Sequence, residues 1–159
     1  MRVLISAVAV LGLAGCTTMK TPDNSALRVD RTIVVATQSA GPQSMTAAYA
    51  RFANPGAADR LLAVTCDCAD RVELHHMVGE GEARKMVTEE EFSIPANATS
   101  VIEPPGLEWH MMLVGLKEPL PVGEAVSMTM QFEIAGTRSL DFVAVESSAD
   151  AWRAMDEGD

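Results

Sequence analysis

The stretch VSMTMQFEI, residues 126–134, decides the fold. Successive side chains of an extended chain point to opposite faces, so Val126, Met128, Met130, Phe132 and Ile134 share one side and Ser127, Thr129, Gln131 and Glu133 the other. That alternation predicts a half-buried strand with Met128 and Met130 in the core. Ala135 and Gly136 supply a turn, and SLDFVAV completes a hairpin. Upstream, RTIVVA, AAYARFA, RLLAVTC, RVELHHM, ARKMV, TSVIE and HMMLVGL are further short apolar or alternating runs. Turn residues lie between many of them: Asn54, Pro55 and Gly56; Gly79 to Gly81; Pro104, Pro105 and Gly106. Many short strands with regular turns predict an all-β antiparallel sandwich or barrel. Only the tail, SADAWRAMDEGD, reads as a short helix, capped by Ser148 or Asp150.

The N-terminus has a different character. MRVLISAVAVLGLAGC carries one charge, Arg2, then an apolar run too short to span a bilayer, and it ends in small residues as an export signal does. Residues 1–15 are therefore expected to be removed. Leu13, Ala14, Gly15 and Cys16 resemble a bacterial lipobox, which leaves the Cys at the new N-terminus carrying lipid. More than one acyl chain at about 0.8 kcal/mol per buried CH₂ holds a protein stably on a membrane. Residues 16–31 are polar and unpatterned and read as lipidated Cys16 plus spacer, 32–146 as the folded domain and 147–159 as an acidic tail. Thr17 in place of Asp favours the outer membrane if the organism has one, with the domain on the periplasmic side. The formal charge of −10 argues against a nucleic-acid partner.

All three histidines, His75, His76 and His110, lie between residues 75 and 110, with Met77, Met86, Met111 and Met112 around them. A hairpin over residues 71–87 with Glu80 and Gly81 as a two-residue loop would pair Met77 with Arg84 and His75 with Met86. In WHMML, His110 and Met112 share a face and Met111 takes the other. The hairpin and the WHMML strand can thus each offer one imidazole and one thioether. Cu(I) is soft and accepts both, whereas Zn(II) makes little use of Met. Met has no proton to lose and His is largely neutral near pH 7, so loading would release few protons. Met77 shares the face of His75 and is an alternative sulfur; His76 and Met111 point the other way and are secondary. Trp109 would either shield the ion or plug the edge of the core.

These residues resemble the periplasmic copper chaperones of the PCu(A)C type, whose pattern is a His, ten residues, a Met, about twenty-one residues, then His-x-Met. His75 and Met86 keep the first interval, and His110 with Met112 supplies the closing pair. AAYARFANPGAADRLLAV, VELHHM, IPANATSVIEPPG and MMLVGLKEPLPVGEAVSMTMQFEIAG extend the likeness from about residue 33 to residue 145. The resemblance implies a cupredoxin-like Greek-key β-sandwich that binds Cu(I) through His75, Met86, His110 and Met112. It also implies a copper-accepting partner, a cytochrome c oxidase subunit or another assembly factor. Two departures stand out: the interval from Met86 to His110 holds twenty-three residues, and GLEWH replaces the commoner Gly-Gly-Tyr-His run.

Cys66 and Cys68 remain outside this set. Residues two apart in one strand sit about 6.6 Å apart, at the upper edge for a disulfide, so a strained and redox-active bridge, a pair of inert apolar side chains, and thiols that recruit copper are all open readings. Their parity matches Leu62 and Val64, the expected inward face. Two other functions compete with the chaperone. One is a metal-free scaffold lipoprotein of the same fold. The other is a blue-copper protein, which needs a Cys near the late His and Met. No nucleophile with a base and no patterned carboxylate pair points to an enzyme.

Overall fold

A computed structural model describes residues 24–104 and 108–156. In chain order they form β1 (Arg28–Val35), β2 (Met45–Asn54), β3 (Asp59–Cys66), β4 (Ala69–Val78), β5 (Lys85–Glu89), β6 (Phe92–Ile94), β7 (Ala98–Ile102), β8 (Trp109–Leu116), β9 (Ala125–Phe132), β10 (Thr137–Val145) and α1 (Ser148–Asp156). Hydrogen bonding runs β5-β4-β8-β2-β1-β10-β9-β3-β6, with β7 added to β2. Every ladder is antiparallel except β1 on β10, which is parallel. The sheet rolls until its two halves face each other, giving the all-β sandwich that the strand pattern predicts, in the cupredoxin-like form that the resemblance implies. Phe52 of β2 meets Phe92 at 5.5 Å and Phe132 of β9 at 6.3 Å across that interior. Met128 and Met130 are fully buried, as their alternation requires.

Four details depart from the sequence reading. The stretch assigned as spacer already belongs to the fold: β1 begins at Arg28, and Leu27 and Asn24 are buried. Asn24 donates to the Ala57 carbonyl at 2.8 Å and to the Asp59 carboxylate at 3.0 Å, long-range bonds that no local pattern announces. The signal segment, Cys16 and the rest of the spacer lie outside the described residues. At the other end, the helix is capped by Ser147 and not by Ser148 or Asp150. Ser147 Oγ accepts the Asp150 N–H at 3.2 Å and donates to the Asp150 carboxylate at 2.5 Å.

The other two departures concern β3. A register shift between Leu61 and Ala63 turns Leu61 inward in place of Leu62, with Val64 following on the buried side. Cys66 and Cys68 do not share a strand, because β3 stops at Cys66 and Asp67 and Cys68 turn the chain into β4. The turn brings the two Cα atoms to 5.1 Å, and the cysteines are bridged.

Gly115, in β8, has φ +72°. Its N–H bonds the Ser44 carbonyl at 2.8 Å, and a Cβ there would collide with the Asp70 carboxylate. Only glycine takes this conformation without strain. Gly115→Ala is expected to destabilise the domain by about 2 kcal/mol, read as a lowered urea midpoint with an unchanged slope.

Candidate functional site

Strands β4, β5 and β8 place the sequence-nominated residues. On β4, Leu74 points into the core, so Glu73, His75 and Met77 point out of it. On β8, Met111 and Leu113 are fully buried and His110 and Met112 take the outer face. The β4–β8 ladder sets His75 opposite His110 and Glu73 opposite Met112. The two rings stand perpendicular with centroids 5.2 Å apart.

The β4–β5 hairpin differs from its expected register. Gly79 and Gly81, at φ +87° and +54°, let residues 79–84 wind through a 3-10 turn, so Met77 pairs with Met86 and His75 with Thr88. The shift is two positions, which preserves the face. Met86 therefore stays on the side of His75, one diagonal step away, and Met77 lies directly across from it. Met86 is half exposed at 49%. Met45 of β2, paired with Val114 and likewise on the outer face, adds a further exposed sulfur beyond Met112.

The structure sorts the secondary candidates. Met111 is core. His76 stacks on Trp109 at 4.4 Å with the ring planes nearly parallel, and Trp109 meets the edge of Phe92 at 5.1 Å. His76 and Trp109 thus lie on the core side, away from His75 and His110, and the ring is a plug rather than a shield. Of the three, Met77 alone joins the face. Cys66 and Cys68 sit before the start of β4, about 20 Å along the strand from His75. Bridged and remote, they offer this face no thiolate of the kind a blue-copper site uses.

The electrostatics favour lone pairs. His75 and His110 are each 6% exposed, and the Nδ1 atoms of both have no hydrogen-bond partner among the described residues. An unpaired buried polar atom costs about 1–3 kcal/mol, so two of them on one cross-strand pair of rings are a sign of function. Burial, and then the neighbouring His75, push the His110 imidazole below its usual pKa, which keeps it neutral. Glu73 is the residue that sequence reading missed, although its period-two relation to His75 was visible. Its Oε1 accepts from Arg71 at 2.6 Å and its Oε2 lies 2.8 Å from His75 Nε2. Arg71 first, then His75, hold its carboxyl below the ordinary range. An ionised Glu73 can only accept, so His75 Nε2 carries the N–H of this contact, and in the neutral ring Nδ1 is then the lone pair. Among the described residues no three His, Cys, Asp or Glu side chains assemble as a metal cage.

Comparison with known proteins gives the same frame. A family model described as "Putative lipoprotein LpqE-like" matches residues 27–145. The "Putative lipoprotein Lxx21020" of Leifsonia xyli subsp. xyli is 32% identical over 144 residues, covering 86% of this chain and 84% of its own. The copper-bound PCuAC domain from PmoF2 shares the fold with a TM-score of 0.61 at 24% identity, over 76% of this chain and 93% of that domain. The apo form of the PmoF2 domain gives 0.59 at 25%, over 80% and 94%. The Cu(I) form of DR1885 from Deinococcus radiodurans gives 0.54 at 26%, over 84% of each chain.

Proposed function

The chain belongs to the LpqE-like lipoprotein family, and from that premise we propose that it is a Cu(I) chaperone, tethered by lipid on Cys16 outside the cytoplasm. The observation that carries the reading is the facing pair of buried imidazoles with unpartnered Nδ1 atoms, set on a sheet face with Met112, Met86 and Met77. His75 and His110 supply nitrogen, and Met112 with Met86 supplies sulfur. Met77 stands opposite Met86 and can replace it. Neutral nitrogen and thioether donors suit a monovalent soft ion and hold it less tightly than thiolates do. The half-exposed Met86 leaves one side of the ion open to an acceptor. The cargo passes to a copper-accepting protein such as a cytochrome c oxidase subunit or an assembly factor of that enzyme. That PCuAC domains of the same fold have been solved with copper supports the assignment.

Titration of the purified protein with Cu(I) against a competing chelator tests it. The expected result is one ion per chain, with an X-ray absorption spectrum of mixed sulfur and nitrogen ligation. No binding above that of a denatured control would leave a metal-free scaffold as the function. Glu73→Gln is expected to weaken Cu(I) about 10- to 100-fold, as loss of an outer-shell partner does. In the copper-free protein the same change should release the His75 proton from Nε2, seen as a changed ¹⁵N tautomer signature.

A further inference from the structure

The Cys66–Cys68 bridge takes no part in the copper face, and its surroundings differ between the two sulfurs. It closes the turn between β3 and β4, packed on the edge of the core. Cys68 borders a cavity of about 550 Å³ under the loop that joins β8 to β9, while Cys66 does not line it. Cys66 Sγ instead accepts the Cys68 backbone N–H at 3.2 Å. The Cys68 carbonyl is tied in turn to the Lys117 N–H at 2.9 Å, which fixes the turn against the end of β8. Cys68 is thus the cysteine that borders the cavity, and the Cys66 sulfur has a donor ready for negative charge.

We propose that this bridge is a thiol–disulfide exchange site, attacked at Cys68, with Cys66 as the leaving group. A thiolate entering the cavity forms a bond to Cys68 Sγ as the bond between Cys68 and Cys66 breaks. The electron pair goes to Cys66 Sγ, where the Cys68 N–H stabilises the thiolate. A second thiol of the same partner then attacks the partner's sulfur in the mixed disulfide and releases Cys68. The partner dithiol is oxidised to a disulfide, the chain gains two electrons, and the two thiol protons pass to Cys66 and Cys68. The cavity wall carries Asp67, Glu118 and Glu124 against Lys117. The substrate class is therefore a protein dithiol with a basic rim around its reactive cysteine.

The full-length protein in detergent, freed of metal by chelation, is treated with 2-mercaptoethanol, quenched with N-ethylmaleimide and mapped by fragmentation mass spectrometry, which also separates Cys16. The bridge is expected to open while the circular dichroism stays native. Mercaptoethanol should be found on Cys68 and maleimide on Cys66, in about tenfold excess over the reverse, because exchange rates follow the leaving thiol and access. A bridge that opens only on unfolding, or an adduct that favours Cys66 or divides evenly, overturns the proposal. Cationic cysteamine should react faster than anionic mercaptoethanesulfonate, with the difference shrinking as salt is added. Equal rates at low salt would overturn the basic-rim substrate.

Discussion

The doubly substituted protein His75→Ala/His110→Ala is expected to lose more than about 100-fold in Cu(I) affinity, beyond what removing an outer-shell partner costs. The two imidazoles are cross-strand partners, and without them Glu73 and the thioethers are the donors left among those named on that face. His76→Ala, which removes a ring stacked on Trp109 away from the face, is the matched control and should change affinity little. The sulfur side behaves differently. Because Met77 is the cross-strand partner of Met86, Met86→Ala alone should lose less than Met77→Ala/Met86→Ala. A second readout needs no copper. The bare Nδ1 atoms are a cost to the metal-free fold, so His110→Leu should leave the apo protein as stable as the parent or about 1 kcal/mol more stable while Cu(I) binding falls. Chelator competition and urea unfolding measure the two effects separately. Unchanged affinity in the double histidine variant would remove the site.

Period-two reasoning carried further than the particular pairings on which it was based. The hairpin of β4 and β5 was expected to close in two residues, yet Gly79 and Gly81 open it into a wider turn. Met86 nonetheless stays beside His75, since a slip of two keeps every side chain on its face while a slip of one would have sent Met86 into the core. The same parity rule placed Met111, Met128 and Met130 inside. It failed at Leu61 and Leu62, where an irregular register reverses inward and outward with no mark in the sequence. It also failed at Cys66 and Cys68, where a turn replaced the strand that was assumed. β6, three residues long, carries too little pattern to be seen. What local pattern could not supply was long-range: Asn24 is polar and sits in a polar run, and only its partners, more than thirty residues away, reveal it as interior.

Asp59→Ala is expected to be the most damaging single change to the fold, costing about 3–5 kcal/mol at neutral pH, because it strips a buried charged acceptor from several donors at once. Asp59 is 2% exposed. Its Oδ1 accepts the N–H groups of Arg60 at 2.8 Å and Ile134 at 2.9 Å, and its Oδ2 accepts Ala135 N–H at 2.9 Å and the Asn24 amide at 3.0 Å. One carboxylate thereby joins the N-terminal segment, the start of β3 and the turn between β9 and β10. Burial alone would raise its pKa, but the Asn24 amide and the three backbone donors reverse that and hold it below the ordinary value. A group whose pKa is depressed on folding contributes stability above the unfolded-state pKa, near 3.9, and loses it as pH falls toward and through the folded value. The parent should therefore weaken as acid is added below about pH 4. Asp59→Ala has no such carboxylate to protonate, so its deficit relative to the parent should narrow over the same interval. Paired urea titrations at pH 7 and pH 3 give the comparison, and a deficit of equal size at both would mean that Asp59 acts through shape and not through its charge.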